Sequence, residues 1–300
     1  MTETDDMAAG APPGDLPPGV DPARPSPARV YDYFLGGTNY LAADRELAER
    51  LKAAMPDVVD TILANRGFHG RAAVWMARQG IRQFIDLGSG LPTQNNTHES
   101  VRRVVPGARV VYVDSDPAVA TNAGPLLTGD GTTAVIIADL REPEVVLGHP
   151  ELRRVIDFTR PAGVLLTAVM HFVADGSDPW GLVARYVAAV APGSYLALSH
   201  GTTDMVPPRR AQAGLDSITN ATEHFYPRPK AEVERFFEGL ELVPPYPQAQ
   251  PGLAYVGLWG AEDPEAADTD GSRLLYCGVA RKPDPAPAGA PGGTSARRRG

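Results

Sequence analysis

Three aspartates, each at or near the end of a short apolar stretch, are the first residues in this sequence whose types and spacing indicate chemistry. They are Asp86, Asp114 and Asp139. A carboxylate accepts two donors at once, so it can hold the hydroxyl groups or the amine of a nucleotide-like ligand. Because an unpaired charge is costly to bury, we expect these side chains at the end of the strands that faces a ligand.

Two glycines follow the first aspartate, in the stretch Asp86-Leu-Gly-Ser-Gly90. Gly88 and Gly90 can adopt positive φ and allow bare backbone to approach a ligand. A turn that serves packing alone would have the same appearance. The interval from Gly90 to Asp114 is close to the roughly 20-residue offset at which an acidic side chain binds ribose hydroxyls. This spacing favours a nucleotide site.

Two histidines are the candidates for proton transfer. His171 and His200 end later apolar stretches that we predict as the fourth and fifth strands, neighbours in the sheet. Histidine is the usual general base near neutral pH, so at least one is predicted to reach the acceptor. Either imidazole could instead bond only a loop carbonyl. A metal site held by the pair lacks a third ligand in the sequence nearby, and no metal is predicted.

The elements that must position these residues alternate between apolar strands and helices. Five strands are predicted, at 84–87, 108–114, 133–139, 162–171 and 194–200, with helices starting at Thr97 and over 181–191 and 229–240. Asn96 and Glu99 have the spacing of a capping box at the start of the first helix. Alternation of this kind predicts a parallel sheet covered by helices on both faces. At the C-terminal end, 253–259 and 273–280 are strands joined by a loop too short for a crossover helix, so they should pair antiparallel.

Residues 28–80 are predicted to form a helical cap before the sheet. Helices are expected over 44–55, ended by Pro56, and over 65–79. Ahead of them, Tyr31, Phe34 and Tyr40 flank a Gly-Gly pair that can act as a hinge. This aromatic segment is either a lid that excludes water from the reaction or a helix packed on the sheet edge.

Composition limits the class of protein. The chain has 300 residues, 43% of them hydrophobic, which is enough for a sizeable core, and one cysteine, Cys277, which excludes an internal disulfide. A net charge of −8 disfavours a nucleic-acid partner. The absence of a long apolar run and the acidic start argue against a membrane span and a secretory signal, so we expect a cytoplasmic protein. Nothing in the sequence indicates an oligomeric state.

The two ends of the chain are rich in proline and poor in aromatic residues. Such composition cannot bury enough surface to order itself, so 1–27 and 283–300 are predicted to be a disordered leader and tail. The sheet domain is then expected over 81–282, after the helical cap.

Several of these stretches resemble the motifs of a known enzyme class. Asp86-Leu-Gly-Ser-Gly90, Val113-Asp-Ser-Asp-Pro117 and Ala138-Asp-Leu140 are similar to the cofactor motifs of class I S-adenosylmethionine-dependent methyltransferases. Together with the stretches 28–37, 90–94 and 193–200 they resemble a little-characterised bacterial family of S-adenosyl methyltransferases, over roughly residues 26–282. The resemblance implies a doubly wound, Rossmann-like α/β fold with a seven-stranded sheet, mostly parallel with one antiparallel strand near the C-terminus.

The same resemblance implies S-adenosyl-L-methionine as the cofactor and assigns residues to it. Asp86, Gly88, Ser89 and Gly90 would hold the methionine part, Asp114 with Ser115 the ribose, and Asp139 with Leu140 the adenine. Ala168, in the predicted fourth strand, is a further cofactor contact. Arg66 could pair with the cofactor carboxylate or be a solvated helix residue. His224 and Tyr226 are candidates on the substrate side, where this class often builds acceptor pockets.

Two functions from different classes agree with these motifs. The first is an enzyme that methylates oxygen or nitrogen of a small molecule by in-line displacement. The second is a non-catalytic sensor or scaffold that binds the cofactor without turnover. A nicotinamide-dependent dehydrogenase is a distant third, because Thr93 stands where the dinucleotide motif requires its third glycine.

Overall fold

The computed structural model describes residues 16–92, 95–124, 129, 131–219 and 221–285. The helices in these ranges are α1 (Pro27–Phe34), α2 (Ala42–Ala54), α3 (Val58–Arg78), α4 (Thr97–Arg102), α5 (Pro117–Ala123), α6 (Pro143–Gly148), α7 (Pro150–Val155), α8 (Pro179–Ala189), α9 (Pro208–Ser217), α10 (Lys230–Glu234) and α11 (Pro264–Ala267). The strands are β1 (Gln83–Leu87), β2 (Arg109–Asp114), β3 (Thr133–Ile137), β4 (Gly163–Thr167), β5 (Tyr195–Gly201), β6 (Glu241–Leu242), β7 (Ala254–Tyr255) and β8 (Leu275–Arg281).

One mixed sheet contains all of these strands. Its order is β3-β2-β1-β4-β5-β8-β6, and β7 also pairs with β8. The first five strands are parallel, whereas β8 runs antiparallel to β5, β6 and β7. The predicted mostly parallel, doubly wound sheet with an antiparallel C-terminal finish is confirmed. The predicted number of strands was seven, but the described residues form eight, because two short strands, β6 and β7, both pair with β8.

Each face of the sheet has its own apolar core. Successive side chains of a strand point to opposite faces. In β1, Ile85 accordingly packs with one core and Phe84 with the other, where Phe68 and Met76 of α3 cover the sheet. A third, smaller apolar cluster lies among the N-terminal helices and includes Val30, Phe34 and Leu47. The cap therefore has a core separate from the two that cover the sheet.

Several predicted element boundaries were wrong, and the strand predicted over 253–259 is only Ala254–Tyr255. Helix α3 begins at Val58 rather than near Asn65, because the apolar stretch after Pro56 continues the helix without a break. Strand β4 ends at Thr167, and the backbone then turns into a 3₁₀ turn over Met170–Phe172. The helix predicted over 229–240 is α10 followed by a 3₁₀ turn over Arg235–Phe237. None of the described helices is both long and apolar enough to cross a lipid bilayer.

The folded part of the chain starts earlier than its composition predicted. The first fifteen residues of the predicted leader lie outside the described residues, as does 286–300 of the predicted tail. In the remainder of the leader, Pro25 and Ser26 are buried. The Pro25 carbonyl accepts a hydrogen bond of 3.0 Å from the Thr222 N–H. Residues 16–27 are held by such long-range contacts, which composition does not reveal.

A buried arginine joins the cap to the sheet. Arg29 of α1 is 4% exposed. Its Nε lies 2.8 Å from Asp44 Oδ2 of α2, and its Nη1 lies 3.2 Å from Asp116 Oδ2 in the turn after β2. Ser26 strengthens both ends, because its N–H donates to Asp44 Oδ1 at 2.8 Å and its Oγ donates to Asp116 Oδ2 at 2.5 Å. The guanidinium and the two carboxylates thus connect α1, α2 and the β2 turn.

We predict that Arg29→Met destabilises the protein strongly, because it leaves two carboxylates without their cation in a buried place. Removal of one partner from a buried ion pair typically costs about 3–5 kcal/mol of the free energy of unfolding. Urea denaturation measures this loss. The matched control is Lys52→Met, which removes the exposed pair with Glu49 and should cost less than about 1 kcal/mol. Equal, small losses in both variants would contradict the role assigned to Arg29.

Candidate active site

A cavity of about 580 Å³ lies at the carboxyl ends of the parallel strands. Its floor comes from the residues that follow four strands: the Gly88–Gly90 turn after β1, Asp114–Asp116 after β2, Ala138–Leu140 after β3 and Thr167–Val169 around the end of β4. The strand order reverses between β1 and β4, and this is where doubly wound sheets bind ligands. Helices α1, α2, α3 and α9 supply the opposite wall.

The two glycines of the turn have different roles. Both have positive φ, +68° at Gly88 and +66° at Gly90. A Cβ at Gly88 would lie well inside van der Waals contact of Val169 Cγ2, so this glycine is required by packing. A Cβ at Gly90 would meet no atom within 4 Å, and the residue lines the cavity. The loop therefore contains a glycine that packing requires, Gly88, followed by a glycine with open space beside it in the cavity, Gly90.

Asp114 lies beside this turn with both carboxylate oxygens engaged by backbone. The Gly90 N–H donates to Oδ2 at 2.8 Å, and the Asp116 N–H donates to Oδ1 at 2.9 Å. Burial raises the pKa of Asp114 to about 6, although these backbone hydrogen bonds oppose the rise. Each oxygen has a further lone pair, so the side chain can accept hydrogen bonds from a ligand in the cavity.

Asp86 does not line this cavity, in contrast to its predicted orientation toward the ligand. It lies in a smaller adjoining pocket with Arg66, Ser89, Gly90 and Thr97. Thr97 Oγ1 donates to Asp86 Oδ2 at 2.6 Å. Burial raises the pKa of Asp86 to about 6, against the opposing effects of Thr97 and Arg66. The carboxylate supports the turn from the side of α4.

His69 of α3, which the sequence did not single out, connects this region. Its Nε2 is 2.7 Å from Thr97 Oγ1 and its Nδ1 is 2.9 Å from Thr167 Oγ1. Because the Thr97 hydroxyl donates to Asp86, it must accept from Nε2–H, and Nδ1 accepts from Thr167. Burial lowers the pKa of His69 to about 3, so the ring is neutral. Its two hydrogen bonds join the start of α4, at Thr97, to the end of β4, at Thr167.

The third aspartate is paired with an arginine. Both oxygens of Asp139 lie within 2.9 Å of Arg141 Nε, and Arg141 also bridges to Glu223 at 3.2 Å. Burial would raise the pKa of Asp139, but the bonds from Arg141 outweigh it and hold the pKa below its usual value. A ligand amine at Asp139 would therefore share the carboxylate with Arg141. Leu140 lines the cavity next to it, and its carbonyl accepts from Tyr186 at 2.7 Å.

His171 lines the cavity but is not arranged as a general base. The Gly201 N–H donates to Nδ1 at 3.1 Å, which requires a lone pair there, so the neutral ring carries its proton on Nε2. Burial, with His200 and Arg228 nearby, holds the pKa of His171 well below its usual range. The neutral ring therefore carries a donor at Nε2, whereas it has no free lone pair to take a proton.

His200 is a structural residue, so its predicted catalytic role is wrong. Its Nδ1 donates to the Gly201 carbonyl at 2.8 Å, and its Nε2 accepts from Arg228 Nη1 at 2.7 Å. The side chain is fully buried and is not part of the cavity wall. Burial lowers its pKa to about 3. The error arose because a strand end does not show which face of the sheet the side chain occupies.

A chain of hydrogen bonds reaches from the cap to the floor of the cavity. Tyr31 Oη accepts from Asn65 Nδ2 at 2.9 Å, and Asn65 Oδ1 accepts from Ser199 Oγ at 2.6 Å. Ser199 Oγ in turn accepts from the N–H of Ala168 at 2.9 Å. Ala168 has φ +54°, a conformation that costs a residue with a side chain about 1–2 kcal/mol. The bonds to Ser199 hold that strained residue in the cavity wall.

The remaining predicted residues divide between the cavity and the surface. The cavity wall includes Ser89, Ser115, Ala168, Arg66, Tyr31 and Phe34. Tyr40 instead packs on Tyr33, with ring centroids 4.8 Å apart. His224 and Tyr226 point to solvent, so their predicted place at the site was wrong. The segment is extended, and its alternate residues Glu223 and Phe225 are the ones that line the cavity.

One part of the cavity wall is apolar throughout. We call it the apolar chamber, and six residues define it: Phe34, Leu47, Leu51, Ile62, Leu215 and Ile218. They come from α1, α2 and α3 and from α9 with the residue that follows it. The periodicity of α2 could have indicated this face, since Leu47 and Leu51 are one helical turn apart. The contribution of α9 has no such signal in the sequence.

Comparison with known proteins identifies a matching family and two similar solved structures. A family model described as S-adenosyl methyltransferase matches residues 14–283. A DUF574 family protein from Streptomyces avermitilis is 39% identical and superposes with a TM-score of 0.80, over 87% of this chain and 98% of its own. A candidate methyltransferase from Thermobifida fusca is 40% identical, with a TM-score of 0.80, over 89% of this chain and 98% of its own.

A more distant structure shares the fold. An O-methyltransferase family protein from Burkholderia thailandensis is 14% identical, with a TM-score of 0.50, over 76% of this chain and 58% of its own. No curated protein matches the chain.

We predict that Gly88→Ala destabilises the protein more than Gly90→Ala does. Positive φ costs an alanine about 1–2 kcal/mol at either position. Gly88→Ala also overlaps Val169, and overpacking typically adds about 1–3 kcal/mol, whereas Gly90→Ala meets open space. Urea denaturation of both variants measures the difference. A Gly90→Ala variant as unstable as Gly88→Ala would contradict the packing role of Gly88.

Proposed function

Because the chain belongs to the S-adenosyl methyltransferase family and S-adenosylmethionine is its cofactor, we propose that it methylates oxygen or nitrogen of a small molecule by in-line displacement. The observation that supports this proposal most directly is that one cavity contains both a floor suited to the cofactor and an apolar wall. Its floor carries the carboxylate and glycine groups suited to the cofactor, and its opposite wall is the apolar chamber. Cofactor and acceptor can therefore meet inside one space.

The residues at the floor fit the cofactor. When bound, S-adenosylmethionine supplies a methyl group on a positively charged sulfur, which activates the methyl carbon. Asp114 keeps lone pairs that can accept from ribose hydroxyls, and the open position beside Gly90 leaves room for backbone contact. Arg66 lines the same cavity and is suited to the cofactor carboxylate. Asp86 and Asp114 add negative charge near this end, which suits a cation better than a pyrophosphate.

The protein contributes position and shielding to the transfer. Holding the acceptor in line with the methyl group converts a bimolecular step into an effectively unimolecular one. Residues 28–80 act as the cap that excludes water, with Tyr31 and Phe34 in its inner wall. His171 orients the acceptor by donating from Nε2. With the cofactor bound, the lone pair of the acceptor would form the new bond to the methyl carbon, sulfur would keep the carbon–sulfur electron pair, and the acceptor's proton would pass to bulk solvent outside the capped cavity.

The proposal is tested with S-adenosylmethionine that carries a labelled methyl group. The wild type is offered a panel of phenols, alcohols and amines, and we expect label in at least one product together with S-adenosylhomocysteine. Cofactor binding without transfer to any member of the panel would favour the sensor or scaffold instead.

We predict a pH dependence of cofactor binding that is traced to Asp114. Its folded-state pKa is about 6, above the usual value for aspartate, so the proton competes with ribose hydroxyls once the pH falls through about 6. Affinity for S-adenosylhomocysteine should therefore drop as the pH is lowered from 8 to 5, by at most about tenfold per unit for this group. Asp114→Asn should bind about 10–100-fold more weakly at pH 8 and show a shallower slope.

Asp139→Asn is the matched control for this slope. Arg141 holds the pKa of Asp139 below its usual value, so this carboxylate does not titrate between pH 5 and 8. The control should keep the slope of the wild type even if its affinity changes. A slope that Asp114→Asn leaves unchanged would contradict the assignment. Calorimetric titration at several pH values gives these affinities.

We predict that His171 acts as a donor rather than as a base, and two substitutions separate these roles. Glutamine keeps an N–H donor at a similar distance but cannot take a proton, whereas alanine provides neither. His171→Gln should retain turnover within about tenfold of the wild type, and His171→Ala should lose about 10²-fold or more. Turnover of an acceptor found in the panel is the measurement. Equal losses in the two variants would show that His171 is the base.

A further inference from the structure

The apolar chamber is built from the inner faces of two amphipathic helices. On α2, Leu47 and Leu51 face the cavity, whereas Glu46, Glu49 and Arg50 are exposed on the other side. On α9, Ala211 and Leu215 line the cavity one helical turn apart, and Ile218 continues the row just past the helix. The charged residues Glu46, Glu49 and Arg50 of α2 are thus directed away from the chamber.

The described residues that α2 and α9 contribute to the cavity wall include no charged side chain. Of the charged groups elsewhere on the wall, Arg66 and Asp114 are those that the proposed function assigns to the cofactor, and the other buried ones are paired within the fold. Arg29 is paired with Asp44 and Asp116, and Arg141 is paired with Asp139 and Glu223. Asp21 and Arg24 lie at the exposed rim. A charged group carried into the chamber would lose its water without gaining an ion pair there, which is unfavourable.

The chamber also presents apolar surface that its own helices leave uncovered. Phe34 and Leu47 are buried in the apolar cluster of the cap. Leu51, Ile62, Leu215 and Ile218 are each partly exposed although they line an internal wall. An apolar occupant would cover this surface and be stabilised by its removal from water.

We propose that the acceptor is an uncharged small molecule with an aromatic or branched aliphatic body. The body fills the apolar chamber, and a single hydroxyl or neutral amine points to the floor, beside His171. This assignment rests on the proposed function, because it makes the chamber the acceptor half of the same cavity. Methyl transfer then joins the acceptor's oxygen or nitrogen to the methyl carbon, leaves the sulfur with the electron pair and releases one proton to water.

Binding measurements test this class without requiring turnover. The protein is saturated with S-adenosylhomocysteine and titrated by calorimetry with three compounds that share one ring system: 1-naphthol, 1-naphthoate and 1-naphthylmethylammonium. We expect 1-naphthol to bind at least tenfold more tightly than either charged compound. Failure of S-adenosylhomocysteine itself to bind would contradict the proposed function, and this outcome is distinguishable because it is seen before any naphthyl compound is added.

Adjacent residues of α3 provide matched variants. Ile62 lines the chamber, whereas Leu63 is 53% exposed and outside it. Ile62→Lys should weaken 1-naphthol binding at least tenfold and reduce the ratio of the affinity for 1-naphthol to that for 1-naphthoate. The affinity for S-adenosylhomocysteine should be unchanged. Leu63→Lys should change none of these values. Leu215→Lys, on the facing helix, repeats the test if Ile62→Lys does not fold. Equal or tighter binding of the charged compounds, or no effect from either chamber variant, would overturn the proposal.

Discussion

The buried guanidinium of Arg29 is the contact on which the cap and the cofactor floor both depend. It lies between Asp44 of α2 and Asp116 of the β2 turn, and Ser26 bonds to the same two carboxylates. Asp116 is also the residue whose N–H holds Asp114, and its Oδ1 caps α5. A charge at this depth is tolerated because the guanidinium pairs with both carboxylates and its Nη2 donates to the Arg24 carbonyl at 2.8 Å. The cap is consequently joined to the residues that would hold the ribose.

The floor of the cavity contains several conformations and charges that are unfavourable by themselves. Ala168 has positive φ, and Asp86 and Asp114 are carboxylates whose pKa values burial raises to about 6. Each is held by surrounding bonds, from Thr97 to Asp86, from Gly90 to Asp114 and from Ala168 to Ser199. Strain of this kind concentrates at functional sites, where the fold fixes groups ahead of ligand binding. In the proposed function, the cofactor would supply further donors and a cationic centre to this acidic end of the cavity.

The parts that the sequence could predict are those encoded by short, local patterns. Each of these features is encoded within a short stretch of sequence, so local pattern and spacing were enough to identify them. They are the apolar strands, the glycine turn and the carboxylate at the end of β2. Contacts between distant segments determine the features that the sequence did not predict. They are the orientation of His200, the outward direction of His224 and Tyr226, and the place of Asp86 in the adjoining pocket. His69 had no local signal at all, because its partners Thr97 and Thr167 come from two other elements. The reason is physical. A periodic pattern determines which face of an element is apolar, whereas the tertiary fold determines which groups from distant segments meet at that face.

If Arg29 makes the cap and the cofactor floor one unit, the two should open together. Amide hydrogen exchange with and without S-adenosylhomocysteine measures this, because exchange reports local opening for each segment. We expect the ligand to slow exchange in α1 and α2 together with the turn and helix at 114–123, by similar factors. Protection of 114–123 with unchanged exchange in α1 and α2 would show that the cap opens independently, and the claim would be wrong.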